Sequence, residues 1–306
     1  MQLKRVRVHS EQVHGVLYMP ASGGPRPTAV VVGGSEGGAP ERAAAALASE
    51  GFAAMAVAYF GVGALPRELE EIPLEYFTGV FAWLAGRSEL AGDRLVIVGR
   101  SRGAELALLL ASRFPEVVTG VIAYVPSCLV WQSAPSSQLM ARATARSSWT
   151  FEGKPLPFVP AAAVTAEDSD TFARFIAGQP IAFRPFFERA MREHDAVAEA
   201  AIAIENIAGP ILLISAGDDQ LWPSQAFCEM ALARLEARGH RFAHRHLCYE
   251  AAGHLLGIPG TMYGPGAPRF PSLHMGGSLS ADDQASKASW PMVVDFLHTA
   301  FGARAR

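Results

Sequence analysis

Residues 95–105 read Leu95-Val-Ile-Val-Gly99-Arg100-Ser101-Arg102-Gly103-Ala104-Glu105. The apolar start predicts a buried strand, and Ala104–Phe114 has the periodicity of an amphipathic helix, so Gly-x-Ser-x-Gly lies between a strand and a helix. Such a sharp turn holds its serine in an unfavourable backbone conformation and brings neighbouring chain close, so the positions two before and two after the serine must lack a Cβ atom. The pattern predicts that Ser101 is a nucleophile whose hydroxyl stands clear of the sheet.

The alternation of strand and helix continues on both sides of this stretch. Uniformly apolar runs predict strands that are buried on both faces, and segments with helical periodicity separate them. This order predicts an α/β fold with a mostly parallel, doubly wound sheet, and the alternating residues 4–19 predict an antiparallel hairpin at its edge. The predicted strands are Ala29–Val32, Phe52–Ala58, Leu95–Val98, Val117–Val125, Ile211–Ile214 and Phe242–Tyr249, and the predicted helices are Glu41–Ser49, Leu74–Leu84, Ala104–Phe114, Ser224–Arg238 and Asp282–Phe301.

The pattern breaks across residues 126–204. Serine and proline residues interrupt it, and little helical periodicity remains. We interpret residues 1–306 as a single domain with a cap inserted at about 126–204, and we expect this cap to shape the substrate pocket. The interruptions are the Ser/Pro cluster at 133–137 and the prolines within 155–160, and the remaining helical stretches are Thr171–Ile176 and Phe186–Glu199.

The composition limits the classes of function. The 306 residues are 50% hydrophobic and carry 26 Lys and Arg against 29 Asp and Glu, which predicts a globular core and excludes disorder driven by excess charge. A near-neutral chain without a dense basic patch does not suit a nucleic-acid surface. No apolar run reaches the roughly 18 residues of a membrane span, and no run of about 7 to 15 apolar residues follows the N-terminus as in a secretory signal.

The cysteines are odd in number and widely spaced, which fits neither a disulfide framework nor a thiolate metal site. We therefore expect a cytoplasmic protein that binds no cofactor and no metal and acts on a small molecule. A homo-oligomer is compatible with the sequence. The three cysteines are Cys128, Cys228 and Cys248.

A nucleophilic serine needs a histidine base and an acid that orients the base, and both are expected on loops after later strands. Asp218 and Asp219 follow one predicted strand, and His254 follows the next. The carboxyl ends of parallel strands meet at one edge of a sheet, so these loops are expected near the serine. We predict His254 as the base, with His274 as the alternative. We favour Asp219 over Asp218 as the acid because it lies four residues before Pro223.

The turn Gly33-Gly-Ser-Glu-Gly-Gly38 directly follows a predicted strand and lets the chain pass close to a substrate carbonyl. Backbone amides of such a turn, together with the amide after the nucleophile, form an oxyanion hole in enzymes of this architecture. We predict the amides of Ser35 and Arg102 as donors, and the amide of Glu36 is the next candidate after Ser35. A turn without function is the alternative, and the glycine spacing does not match the phosphate-binding motifs.

Arg100 and Arg102 flank the serine, and a cation at a helix N-terminus is unfavourable against the helix dipole. Glu105, three residues after Arg102, can offset this charge. Two interpretations stay open. The arginines are structural, or one of them meets an anionic part of the substrate.

These motifs resemble the C-terminal catalytic domain of type I acyl-CoA thioesterases and bile acid-CoA amino acid N-acyltransferases, which belongs to the α/β-hydrolase superfamily. The resemblance extends from about residue 12 to the end of the chain, and its most specific segments are those at residues 74 and 217. The matching segments are Gly33-Gly-Ser-Glu-Gly-Gly, Leu74-Glu-Tyr-Phe, Gly99-Arg-Ser-Arg-Gly-Ala-Glu-Leu-Ala-Leu, Phe151-Glu-Gly-Lys-Pro-Leu-Pro, Gly217-Asp-Asp-Gln-Leu-Trp-Pro and Tyr249-Glu-Ala-Ala-Gly-His.

The resemblance implies an α/β-hydrolase fold and a Ser/Cys–His–Asp triad that acts on acyl-CoA thioesters. By position, Ser101 is the nucleophile, His254 the base, and one aspartate of the Asp218-Asp219 pair the orienting acid. Family members that transfer the acyl group to an amino acid carry cysteine at the nucleophile, so Ser101 favours hydrolysis. Eukaryotic relatives also carry a β-sandwich domain where this sequence has the predicted hairpin.

Three other functions remain as alternatives. The first is acyl transfer to an amine or alcohol, and the second is hydrolysis of small oxygen esters of the dienelactone type. The third is a noncatalytic binding scaffold that has kept the fold.

Overall fold

A central sheet of eight strands organises the computed structural model, which describes residues 2–9, 13–133, 145–162, 165–262 and 270–302. A second, three-stranded sheet is formed by short strands outside it. The strands are β1 (Leu3–His9), β2 (His14–Pro20), β3 (Arg26–Val32), β4 (Ala53–Val57), β5 (Ile72–Pro73), β6 (Leu90–Arg100), β7 (Val118–Tyr124), β8 (Trp149–Phe151), β9 (Lys154–Pro155), β10 (Ile211–Ala216) and β11 (His244–Tyr249).

The strand order in the large sheet is β1-β2-β4-β3-β6-β7-β10-β11. From β4 to β11 every neighbouring pair is parallel, whereas β2 pairs antiparallel with both β1 and β4. The predicted mostly parallel sheet with an antiparallel hairpin at its edge is therefore confirmed.

Helices cover both faces of the sheet, as expected for strands that are apolar at every position. The helices are α1 (Glu41–Ser49), α2 (Tyr76–Ala85), α3 (Arg102–Arg113), α4 (Ser169–Ile176), α5 (Arg184–Ala190), α6 (His194–Ala200), α7 (Ser224–Ala237) and α8 (Leu279–Gly302). Along β3, Val30 and Val32 face the core beneath α2, α3 and α7, and Val31 faces the core beneath α1 and α8. This double burial explains why the strand shows no alternation with polar residues.

Residues 126–204 connect β7 to β10, two strands that are neighbours in the sheet. Within this segment β8 pairs with β5 and β9, and α4, α5 and α6 follow. The prediction of one helix over Phe186–Glu199 is wrong, because Glu193 has a non-helical backbone (φ −79°, ψ 76°) and separates α5 from α6. From residue 134 onward, the Ser/Pro cluster lies outside the described residues. The interpretation of the segment as a cap stays a prediction.

Every helix in the described part of the chain is too short or too polar to cross a bilayer.

Candidate active site

Ser101 occupies the turn between β6 and α3, with the strained backbone that the sequence predicts. Its φ of 55° and ψ of −125° lie in a region that residues with a side chain rarely adopt. A Cβ atom on Gly99 would collide with the carbonyl oxygen of Gly103, and one on Gly103 would collide with the carbonyl oxygen of Gly33. Both glycines of the motif are thus required by close backbone approach.

Three side chains from separate loops meet at the carboxyl edge of the sheet. The Nε2 atom of His254 lies 2.9 Å from Ser101 Oγ, and its Nδ1 atom lies 2.9 and 3.0 Å from the carboxylate oxygens of Asp219. All three residues are buried, with at most 4% of their surface exposed. Asp219 follows β10 and His254 follows β11, so the parallel strands deliver both residues to the serine. A neutral imidazole in this position can take a proton from the hydroxyl.

The two adjacent aspartates have different partners. Asp219 Oδ1 also accepts hydrogen bonds from the amides of Leu221 (3.0 Å) and Trp222 (3.2 Å), which fixes the carboxylate in its turn. Asp218 instead accepts hydrogen bonds from the Gly277 amide and, 2.7 Å away, from the side chain of Gln220. The structure therefore brings Asp219, and not Asp218, to His254.

Of the two candidate bases, His254 is the one whose ring reaches Ser101. The amide of His274 donates to the carbonyl of Ile181 over 2.8 Å. His274 thus belongs to the connection between residues 181 and 273 and not to the serine.

Burial lowers the pKa of His254, and the nearby Asp219 carboxylate partly offsets this by favouring the imidazolium. The positive charge of Arg100 lowers the same pKa further. The indole ring of Trp222 stands edge-on to the imidazole at 5.7 Å and is itself held by a hydrogen bond to the carbonyl of Val125. The His254 imidazole is therefore kept neutral near pH 7 and held in one orientation.

The glycine-rich turn after β3 lies against Ser101. A Cβ atom on Gly34 would be only 3.2 Å from Ser101 Cβ, and the hydroxyl of Tyr59 holds the Gly33 carbonyl at 2.7 Å. The amide of Gly34 donates to the carboxylate of Glu36, so it is already used. Ser35 and Glu36 are exposed.

Arg102 is buried in the first turn of α3, where helical amides lack a partner within the helix. Its amide directly follows Ser101 along the chain, and Gly34 of the turn after β3 lies against the same serine.

Residues 72–303 match the model of the family described as BAAT / Acyl-CoA thioester hydrolase C terminal. The chain belongs to this family. The resemblance indicated by the sequence motifs is confirmed.

Curated members of the BAAT / acyl-CoA thioester hydrolase family align with nearly the whole chain. The mouse bile acid-CoA:amino acid N-acyltransferase is 26% identical over 298 residues, which cover 96% of this chain and 65% of the relative. The human acyl-coenzyme A thioesterase 6 is 25% identical over 304 residues, which cover 97% and 65%. The chain thus spans about 65% of the length of these relatives.

A solved structure of lower identity agrees on the fold. The crystal structure of a dienelactone hydrolase-like promiscuous phosphotriesterase from metagenomic libraries superposes with a TM-score of 0.52 at 13% identity, covering 96% of this chain and 98% of that one. The family member described here therefore has the α/β-hydrolase fold.

In this family member, both arginines beside Ser101 bind protein groups. Arg100 donates hydrogen bonds to the carbonyls of His254 and Leu256, and so joins the serine turn to the loop of His254. Arg102 forms a buried ion pair with Glu105 at 2.7 Å. These contacts support the interpretation that both arginines are structural.

Asp282 in α8 is a site residue that the sequence reasoning missed. Its carboxylate accepts the amide hydrogen of Gly253, next to His254, and burial raises its pKa to about 6. The His254 amide itself donates to the Met275 carbonyl at 2.7 Å. No local pattern marks Asp282, which reads as an ordinary acidic residue in the first turn of a helix.

Within the described residues, no three His, Cys, Asp or Glu side chains are grouped in a way that could hold a metal ion.

Proposed function

We propose that the chain is a serine hydrolase that cleaves acyl thioesters of the acyl-CoA type through an acyl-enzyme intermediate. The observation that carries the proposal is the hydrogen-bonded line from Ser101 through His254 to Asp219. The choice of a thioester is supported by the family and by the acyl-coenzyme A thioesterases among its curated relatives.

In the first half-reaction, Ser101 Oγ attacks the thioester carbonyl carbon while His254 Nε2 takes the hydroxyl proton. Asp219 holds the imidazole and stabilises the imidazolium that forms. The carbonyl electron pair moves onto oxygen, where the backbone amides of Arg102 and Ser35 donate hydrogen bonds. The Glu36 amide is the next candidate donor after that of Ser35. The intermediate then expels the thiolate, which takes the proton from His254 and leaves an ester on Ser101.

In the second half-reaction, His254 removes a proton from water, which attacks the ester carbonyl. Collapse of the second intermediate returns the proton to Ser101 and releases the carboxylic acid. An amine that displaced this water would give an amide instead. We keep acyl transfer as the second candidate because one aligned relative is a bile acid-CoA:amino acid N-acyltransferase.

The segment 126–204 is proposed to form a wall of the acyl pocket. In support, Trp131 and Trp149 from this segment both donate hydrogen bonds to Glu105, which lies four residues after Ser101. Both indole rings are buried and apolar, which suits an acyl chain better than a charged group.

The test compares the parent chain with Ser101→Ala, His254→Ala and Asp219→Asn on acyl-CoA thioesters, with thiol release as the signal. We expect near-complete loss for the first two and a loss of about 10³- to 10⁴-fold in kcat for Asp219→Asn. Asp218→Asn is the matched control and should lose far less, since Asp218 does not contact His254. Parent-like turnover by folded Ser101→Ala would overturn the proposal.

Product analysis separates the two candidate reactions. Hydrolysis gives equal amounts of thiol and free acid at every concentration of added amine. Acyl transfer gives an amide whose share grows with the amine. Parallel assays with p-nitrophenyl oxygen esters show whether thioesters are preferred.

A further inference from the structure

Glu105 is a fully buried carboxylate in the first turn of α3, four residues after the proposed nucleophile. One of its oxygens accepts the ion-pair hydrogen bond of Arg102 at 2.7 Å. The other oxygen accepts the indole N–H of Trp149 at 2.7 Å and the amide of Trp131 at 3.3 Å. Both tryptophans belong to the segment 126–204, so the carboxylate joins this segment to the helix.

Arg102 repeats the connection from the other side of the ion pair. Its guanidinium donates to the carbonyls of Trp131 (3.2 Å) and Gln132 (3.3 Å) and to the hydroxyl of Ser148. That hydroxyl in turn donates to the Trp131 carbonyl at 3.1 Å. The charged pair thus binds two separate stretches of the segment, around residues 131 and 148, in one fixed arrangement.

The location of this network connects it to the reaction. The backbone amide of Arg102 is one proposed donor to the oxyanion. On the other side, the ring of Trp149 lies 5.8 Å from the ring of Tyr59, whose hydroxyl holds the carbonyl of Gly33 in the second donor turn. Glu105 is therefore hydrogen-bonded to Arg102, whose amide is one proposed donor, and to Trp149, which contacts the turn of the second donor through Tyr59.

Stability alone does not account for these charges. An apolar pair of similar volume often replaces a buried ion pair without loss of stability, because removing two charges from water is costly. What the apolar pair lacks is direction, since a charged pair with four or more hydrogen bonds fixes the relative position of the groups it joins. The ion pair lies directly beside Ser101, where the relative position of these groups would matter for the reaction.

We propose that Glu105 is a positioning residue for the reaction: it fixes the stretches around residues 131 and 148 on the first turn of α3 and thereby sets the two amide donors around Ser101. The inference rests on the proposed function, because it assigns those amides to the oxyanion. Glu105 itself touches no reacting atom.

The test is Glu105→Gln in the full chain. The glutamine oxygen can still accept from Trp149 and Trp131, but its amide group faces the Arg102 guanidinium, where a donor meets a donor. Active serine is counted by titration with a fluorophosphonate, and turnover of an acyl-CoA thioester is expressed per titrated Ser101. We expect kcat and kcat/KM to fall together by about 10- to 100-fold, as for a small displacement of reacting groups.

A purely structural role predicts a different result, in which the variant has less titratable serine but the parent kcat at each remaining site. That result would overturn the inference. Glu205→Gln is the matched control: it breaks an ion pair with Arg234 of 2.6 Å that involves neither α3 nor residues 131–149, and it should keep the parent kcat per site.

Should Glu105→Gln fail to fold, the double variant Arg102→Met/Glu105→Leu removes both charges at nearly constant volume. We expect it to fold, to show faster amide exchange in peptides covering 129–133 and 147–151, and to lose kcat by the same 10- to 100-fold. Parent-like kcat in this variant would overturn the inference. A parent chain without any turnover would overturn the proposed function, and this inference with it, whereas an active parent with an unimpaired Glu105→Gln variant would overturn the inference alone.

Discussion

The substitution Asp282→Asn tests whether the loop that carries His254 is held by a carboxylate whose burial destabilises the fold. Asp282 is 1% exposed, and its carboxylate accepts the amide hydrogen of Gly253. Burial is the main cause that raises its pKa from the ordinary 3.8 to about 6, against the opposing effects of the Gly253 amide and the Arg100 charge. Asparagine cannot ionise, yet its side-chain oxygen can still accept the same hydrogen bond.

The sign of the effect follows from proton binding. Between pH 3.8 and about 6 the folded chain keeps a proton on Asp282 that the unfolded chain has released, so this group makes the fold less stable as the pH rises. Below that window it contributes nothing, and above it the full penalty is present. At 1.36 kcal/mol per pKa unit, the penalty is about 3 kcal/mol. Asp282→Asn should therefore gain about 2 to 3 kcal/mol of stability over the parent between about pH 4 and pH 7.

Urea unfolding of both proteins at a series of pH values measures this difference, and groups that titrate equally in both cancel. The control is Asp283→Asn at the next position, where a more exposed carboxylate pairs with Lys287 at 2.6 Å. The difference in free energy of unfolding between Asp283→Asn and the parent should not increase in this way with pH. A pH-independent difference for Asp282→Asn, or a parent that gains on the variant as the pH rises, would refute the reasoning.

Two further substitutions address the loops around the nucleophile. Arg100→Met removes a charge that lowers the pKa of His254, so the acid limb of the kcat profile should move to higher pH, and an unmoved limb would contradict the assignment. Gly34→Ala places a methyl group 3.2 Å from Ser101 Cβ and 2.8 Å from the Glu36 carboxylate, so activity should fall while the melting temperature holds. The control Gly24→Ala places its methyl group in open space and should change neither the activity nor the melting temperature. A fully active Gly34→Ala would count against the proposed oxyanion turn.

The sheet could be predicted from the sequence because its strands have a signal of their own. Residues such as Val30 and Val31 point to opposite faces, and both faces are covered by helices, so the run is apolar throughout. The loops that carry Ser101, Asp219 and His254 could be placed for the same reason, since each follows the carboxyl end of a parallel strand. The preference for Asp219 over Asp218 agrees with the contacts of the two carboxylates.

Other parts of the site have no such signal. Glu105 meets Trp131 and Trp149, which lie 26 and 44 residues further along the chain, and this depends on the path of a segment without regular periodicity. Asp282 reaches Gly253 across 29 residues, from a helix whose acidic first turn is unremarkable in sequence. Pairings of this kind follow from tertiary packing and cannot be read from local spacing.

The charged side chains around the site share a physical role. In the sheet, backbone N–H and C=O groups are satisfied by neighbouring strands, whereas part of the backbone of the loops at its carboxyl edge lies beyond the reach of this pairing. An unpaired buried backbone group is costly, so side chains must take the place of the missing strand. Charged side chains do this most rigidly, because their hydrogen bonds are shorter and stronger than neutral ones. The backbone around the proposed reacting groups is held in this way: Glu36 binds the Gly34 amide, Asp219 the amides of Leu221 and Trp222, Asp282 the Gly253 amide, Arg100 the carbonyls of His254 and Leu256, and Arg102 the carbonyls of Trp131 and Gln132 in the neighbouring segment.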